Sequence, residues 1–482
     1  MSSTTQKEGL QKNSLSLFDS IVMAIAGSAP AYSISATTAV LIGAVGLQAP
    51  AALLWCGIPM LGVVFAFLYL NRWQANSGAS YAWVGKALNA DLGFLSGWAL
   101  IVSATVFMVA GSFPAGSVTL SIVAPSLSSN LTAVTIVGGL WFLLISFLVM
   151  MGIRVTAFVQ WIMSGIEIVI LLVSGIVALF KFGAHPVNPF SWSWFSPTFS
   201  SSAVFVSGAL IATFYYWGWD VAANLNEETK ESRRIPGLGA LVGIIFVFAL
   251  FELFTVATQL GMSTKDIGDA SSNVLQNMGV LLYGKTWGNI MVLAVALSTI
   301  ATLETTLLQV TRTLFAMGRD GVISRKFAMI HPKWRTPHFA SIVITIFSLL
   351  LFLLSNFLPS VSSVMTNAIN AIGLQVVFYY ALAALSVLVY YRKILFKTAA
   401  NFFLLFLFPL IAAVFLIIVG IADIPNLGPV ADGVGIGLIA IGIIPMVWGR
   451  VRKQTDFYQQ PREFYDPNKP EHTASATDAI NP

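Results

Sequence analysis

Apolar residues in this chain come in long runs separated by short polar breaks, at 17–46, 51–71, 93–122, 132–151, 155–181, 202–225, 238–261, 288–317, 339–358, 364–390, 399–421 and 433–450. A helix needs roughly 20 mostly apolar residues to cross a bilayer, so each run predicts one span. The first, third and eighth runs are too long for one straight crossing at about 1.5 Å per residue, and tilt, a break or an appended turn is expected in each. Barrel strands would alternate in polarity over about ten residues, and no stretch does so. The pattern predicts an all-α integral membrane protein of about twelve transmembrane helices.

Composition agrees. Of 482 residues, 57% are hydrophobic and only 9% charged, against about 25% charged in soluble domains. Mean hydropathy is +0.83. The 25 Lys and Arg with 20 Asp and Glu cannot coat a water-soluble surface of this size, which excludes a soluble enzyme, a nucleic-acid reader and a disordered scaffold. The single cysteine, Cys56, lies in an apolar run and excludes an intramolecular disulfide framework or a thiolate metal cluster. His185, His331, His338 and His472 lack ligand spacing, so no metal is expected. Gly435–Ala440 formally fits the dinucleotide pattern but sits inside an apolar run with no preceding strand, and no phosphate-binding Gly-Lys-Ser/Thr motif occurs. No cofactor and no enzymatic constellation of nucleophile and base are expected.

Charge placement orients the spans. With a cytoplasmic N-terminus and alternating spans, only Lys181, Lys265 and Lys285 of the 25 basic residues fall outside, leaving 22 inside. That asymmetry is the positive-inside rule, and a miscount of one span would scramble it. A cell-membrane protein with both termini cytoplasmic is expected, and the net charge of +5 is accounted for by topology. No cleavable signal peptide is visible. The N-terminal segment 1–16 is polar, and the tail from Gln454, within 451–482, reads as disordered. A sequon, Asn130-Leu-Thr132, falls in a predicted outer loop.

Two spans carry helix breakers. Ala26-Gly27-Ser28-Ala29-Pro30 sets a Gly beside a Pro that lacks an N–H and disfavours helix at Ala29. Tyr215-Tyr216-Trp217-Gly218-Trp219-Asp220 sets a Gly among bulky aromatics, followed by an acid suited to capping a new helix. Unpaired backbone persists at membrane depth only where protein or a cavity satisfies it. Spans 1 and 6 open two five-helix halves, repeat one about 17–182 and repeat two about 202–390. Matching interruptions in two halves point to a transporter site at their interface. Amides after Ala26, Gly27 and Ser28 suit a carboxylate, and carbonyls before Tyr215 and Tyr216 suit an ammonium, so an α-amino acid fits both ends.

At these residues the chain resembles the amino acid–polyamine–organocation superfamily of permeases, over about residues 15–450. The resemblance rests on Phe214-Tyr-Tyr-Trp-Gly218-Trp219-Asp220, Asn226-Glu227-Glu228-Thr229-Lys230, Arg233-Arg-Ile-Pro236, Thr311–Gly321 and His331–Pro337. It implies the five-plus-five inverted-repeat fold of a bacterial leucine transporter, with helices 1 and 6 broken and two extra helices at 399–450. It also implies that the breaks at Gly27 and Gly218 bind the backbone-like part of the solute, and that Asp220 matches a gating or proton-linked acid. Two departures stand out. The first break reads Gly-Ser-Ala-Pro where many members show Gly-x-Gly, so Pro30 removes a donor, and position 167 is Glu where many place Lys.

Charges at mid-bilayer cost at least about 2.5 kcal/mol, so such residues face an interior or a cavity. Four acids lie mid-span: Glu167, Asp220, Glu252 and Glu304. Glu167 shares a helical face with Gln160, Ser164 and Ser174, and span 8 carries Ser298, Thr302, Thr305, Gln309 and Arg312 along a face with Glu304 on its flank. Glu167, Asp220 and Glu304 are candidates for proton coupling or gating, while Glu252, among large apolar residues toward the outer end, reads as structural. Substrate-binding candidates are Ala26, Gly27, Ser28, Ala29, Phe214, Tyr215, Tyr216, Trp217, Gly218 and Trp219, with spans 3, 8 and 10 lining. Asn367, Asn370 and Gln375 read as packing or cavity-wetting groups. The aromatics suit an apolar solute body or an ammonium.

The expected function is a secondary transporter of amino acids working by alternating access, with proton coupling or exchange. A polyamine or other organic cation is the alternative, favoured by the unpaired acids and by Pro30. Sodium coupling would rest on Ser298 and Thr299. An ion channel, which would want a ring of equivalent pore-lining groups, ranks below both.

Overall fold

A computed structural model describes residues 9–128, 130–270, 273–355, 361–451 and 456–466. The start of the N-terminal segment, the end of predicted span 339–358 and most of the C-terminal tail lie outside these residues. The described residues are helical, with a single isolated β-bridge between Leu15 and Thr229.

In chain order the helices are α1 (Leu17–Gly27), α2 (Pro30–Val45), α3 (Ala49–Trp73), α4 (Ser80–Ala87), α5 (Ala90–Val123), α6 (Leu131–Met150), α7 (Ile153–Ala184) and α8 (Ser202–Tyr215). The second half holds α9 (Val221–Asn224), α10 (Ile235–Gly261), α11 (Thr264–Ala270), α12 (Val274–Tyr283), α13 (Lys285–Arg319), α14 (His338–Leu354) and α15 (Val361–Tyr390). Two further helical stretches, Ala399–Asn426 and Pro429–Val451, each contain a π-turn. Over their described residues all twelve predicted runs fall mostly on helix, the main interruptions being at 28–29 and 216–220. Among the described residues nine stretches are long and apolar enough to cross a membrane, the first of which, Leu17–Trp73, takes in two predicted runs. Ser202–Tyr215, Val274–Tyr283 and His338–Leu354 are shorter apolar helices.

Local sequence explains many ends. Ser16 caps α1 in a reciprocal box with Asp19, and Asn89, Asn130 and Ser201 accept amides at the starts of α5, α6 and α8. Buried hydroxyls such as Thr105, Ser112 and Ser146 donate to the carbonyl four residues back, which satisfies them inside apolar helices. Of the three overlong runs only the first breaks, between α1 and α2. The third and eighth are the continuous helices α5 and α13, of 34 and 35 residues. The connection after α10 folds as α11 and α12, which pack on α2.

Two packing groups emerge. α10 packs on both α1 and α3, while α5 gathers α6, α13 and α14. α7 touches α10 and α13, and α15 touches α3, α5 and α8, so these two bridge the groups. Both breaks lie between the groups. The tail differs from expectation: within 456–466, Phe457 and Tyr465 are buried against the end of the bundle that carries both termini.

Candidate functional site

The first break is one residue wide. Ala29 sits in the left-handed region at φ 50, ψ 59, because Pro30 excludes helix at the residue before it while fitting the first turn of α2. The expectation that amides after Ala26, Gly27 and Ser28 are free is corrected: Ser28 N–H donates to the Ala24 and Ile25 carbonyls, and Ala29 N–H donates to Ala26. The helix amino end at this break belongs to α2. There Pro30 has no N–H, Ala31 N–H donates to Glu167 Oε1 at 2.9 Å, and Tyr32 N–H donates to Ser298 Oγ at 3.2 Å. A carboxylate on the positive end of a helix is the favourable pairing, and here the protein supplies its own. Glu167 Oε2 has no hydrogen-bond partner among the described residues.

The second break opens where α8 ends at Tyr215. Gly218 lies at φ +100, open to glycine at little cost, and helix resumes at Val221. The two breaks touch: a Cβ on Gly218 would overlap the Gly27 carbonyl oxygen, and one on Gly27 would overlap the Gly218 carbonyl oxygen. The Tyr215 and Tyr216 carbonyls accept no hydrogen bond from any described residue, leaving the negative end of α8 free for a donor.

Asp220 does not cap α9 as its position suggested; its side chain makes no capping bond. Its carboxylate instead accepts from Tyr379 and Tyr380 hydroxyls of α15, each at 3.0 Å. Tyr379 in turn accepts Trp217 Nε1–H at 2.6 Å, so a hydrogen-bonded chain runs from the break to Asp220. Trp217 also meets Phe107 of α5 edge-on, and Phe107 meets Tyr32. An aromatic cluster is thus assembled from three helices, α2, α5 and α15, and the segment after α8. Tyr215 hydroxyl pairs with Thr38 at 2.5 Å, and Tyr216 hydroxyl donates to the Leu53 carbonyl. Phe214 packs on Trp217, whereas Trp219 turns away to pack against Phe67 and Tyr380.

The other acids do not join the breaks. Glu304 is fully buried and both carboxylate oxygens lack a described partner. It lies three residues from Ala301, whose carbonyl accepts Gln160 Nε2–H at 2.6 Å, and so belongs to the α7–α13 contact. Thr302 of α13 donates to the Ala26 carbonyl and Thr299 to Val295. Glu252 on α10 makes no hydrogen bond with any described residue. Gln375 donates to the Val434 carbonyl, the packing role expected of it.

Sequence reasoning missed a polar barrier at the end of the bundle that carries the termini. Arg312 forks Glu228 at 2.9 and 3.0 Å with both side chains fully buried, and Arg319 forks Glu227 with two bonds of 2.9 Å. Ser77 N–H donates to Glu227, Asn224 to the Ser77 carbonyl, and Asn226 to Asn71 and the Asn76 carbonyl. Burial pushes the Glu227 carboxyl up, but the Arg319 fork and the Ser77 amide outweigh it and hold the group below its ordinary value. Leu15 and Ser14 amides close over the Glu228 carbonyl. The available signal was two acids just after span 6 and two arginines seven residues apart on span 8, on one helical face.

Comparison with known proteins adds the following. The family model described as amino acid permease matches residues 15–447. The chain is 26% identical over 357 residues to the low-affinity putrescine importer PlaP of Escherichia coli (strain K12), covering 70% of this chain and 74% of that one. It is 26% identical over 309 residues to the branched-chain amino acid permease BcaP of Bacillus subtilis (strain 168), covering 59% and 63%. It is 26% identical over 413 residues to the human large neutral amino acids transporter small subunit 2, covering 83% and 73%.

Proposed function

This chain belongs to the amino acid permease family of multi-pass membrane proteins, and from that premise we propose that it is a secondary active transporter moving a small amine-bearing solute by alternating access. The observation that carries the proposal is the contact of two buried backbone breaks, with unpaired carbonyls on one side and a helix amino end on the other. The solute's ammonium binds the Tyr215 and Tyr216 carbonyls, its body packs on Phe214 and Trp217, and the Ala26–Ala29 turn faces it. In the amino acid form of this function, the solute carboxylate takes the amino end of α2. The names of the Bacillus and human relatives agree with that class.

One observation favours the second class, a polyamine or other organic cation. Glu167 already holds the Ala31 amide and Pro30 offers none, so a solute carboxylate meets a carboxylate. An ammonium instead finds the free Oε2 of Glu167, and one relative is named for putrescine import. A thermal-shift panel of amino acids and diamines, followed by counterflow uptake in proteoliposomes, separates the two. Stabilisation by amino acids alone selects the first class and by diamines alone the second; linear, voltage-driven flux without saturation overturns the carrier.

Protons are the proposed coupling ion, with solute exchange as the other mode. A proton on Glu167 weakens its hold on Ala31 and frees the amino end of α2, which ties protonation to the anion seat. Asp220 and Glu304 are the further candidates, and Asp220 is connected to the site through Tyr379 and Trp217. The basic bias places both termini in the cytoplasm of a cell-membrane protein, so the polar barrier described above is the cytoplasmic one.

A further inference from the structure

We propose that residues 456–466 form a latch that holds the cytoplasmic barrier shut and limits the rate at which it opens. The inference rests on the alternating-access function above.

Two ends of this strap grip different parts of the molecule. At one end the Phe457 ring stacks on Tyr81 of α4, with centroids 4.9 Å apart and planes 12° apart. Lys86 of α4 pairs with Glu463 at 3.0 Å, and Glu463 N–H donates to the Lys86 carbonyl at 2.9 Å. At the other end Tyr465 N–H donates to the Tyr390 carbonyl at 2.9 Å, the Tyr465 ring lies against Tyr391, and Arg392 sits 3.7 Å over Phe464.

α4 packs on α5 and also directly on α15, the helix that bridges the two packing groups. The end of α15 is fastened in turn to the end of α3: Trp73 stacks on Tyr390 at 3.9 Å, and Tyr391 hydroxyl donates to the Tyr69 carbonyl. The strap therefore ties the α3–α15 end to the α4–α5 end. The tie also reaches the barrier itself, since Tyr81 hydroxyl donates to Asp320, next to the Arg319 that forks Glu227. Opening this face separates the two groups, and the strap must let go of one of them first. Its bonds are one aromatic stack, one tilted ring contact, one cation–π contact, one partly exposed ion pair and two backbone hydrogen bonds, strong enough to slow opening and weak enough to release.

The test uses the full chain with Cys56→Ser and a reporter, Thr306→Cys, four residues along α13 from Thr302, which donates to the Ala26 carbonyl; the native Thr306 side chain is 4% exposed. Ending the chain after Thr455 should raise both cytoplasmic-side thiol labelling and initial uptake roughly fivefold, the scale of one aromatic stack with one ion pair. Ending it after Asp466, beyond the last described contact, should change neither. Phe457→Ala should raise labelling with the rest of the chain intact. Lys86→Glu and Glu463→Lys should each raise it, and the double swap should restore the original rate. Labelling and uptake that are unchanged in all these variants overturn the latch. Labelling that rises while no variant transports any solute leaves the latch standing and overturns the transport function instead.

Discussion

Glu167→Gln exchanges a carboxylate for an amide of nearly the same shape at the amino end of α2. The carboxylate receives the Ala31 amide at 2.9 Å in a buried setting. A hydrogen bond to a charged group contributes about 1.5–3 kcal/mol and a neutral one about 0.5–1.5, with the helix end favouring the charge by a further 0.3–1 or so. The exchange thus weakens the internal occupant of the anion seat by about 1–2 kcal/mol, or roughly five- to thirtyfold in an equilibrium constant. If Glu167 competes with a solute carboxylate, the variant binds amino acids tighter by that factor. Diamines, which lose an anionic partner, bind weaker. Calorimetric titration of purified protein with one neutral amino acid and one diamine, at pH 7, measures both. A ratio of the two affinities that does not move refutes the assignment of Glu167 to the anion seat.

Gly218→Ala forces a side chain onto the Gly27 carbonyl at a backbone angle unsuited to it, at about 1–3 kcal/mol of local strain. Uptake should fall at least about tenfold while membrane expression is retained; uptake at the original rate would contradict the contact of the breaks. Arg312→Met or Glu228→Met alone strands a buried charge and should cost about 3–5 kcal/mol, whereas the double variant should recover most of it. Thermal inactivation rates of the three proteins decide this, and additive losses would sink the pairing. Because Glu227 is held below its ordinary value of about 4.3, its stabilisation is fully present above that pH and is lost as pH falls through the lower, folded value. The stability gap between native protein and Glu227→Gln should therefore be flat from pH 7 to about 5 and close only in stronger acid; a gap that closes between pH 7 and 6 argues against the Arg319 fork.

The twelve runs and both breaks were legible because they rest on local causes, run length, a Gly beside a Pro, and a Gly among aromatics. What those breaks face was not. Asp220 carries the signature of a helix cap, but two tyrosines 159 and 160 residues further on claim it, and span 10 had been noted only for its amides. Glu167 was visible as a buried acid on a polar stripe, yet its partner is a backbone amide 136 residues away. The arginine–glutamate forks were likewise hidden, since Glu227, Glu228 and Arg319 read alone as loop charges near a span end and Arg312 as one more polar residue on the span 8 face. The tail reads as disordered because its polar composition outweighs four aromatics, Phe457, Tyr458, Phe464 and Tyr465, of which two are buried against the bundle. Periodicity reports which element forms; long-range polar pairing has no periodicity to report it.

A structure with solute bound tests the central claim most directly. The account predicts the ammonium within about 3 Å of the Tyr215 or Tyr216 carbonyl, with the turns at Ala29 and Gly218 still open. Solute bound elsewhere, with residues 24–31 and 214–220 wound into continuous helix, would contradict it.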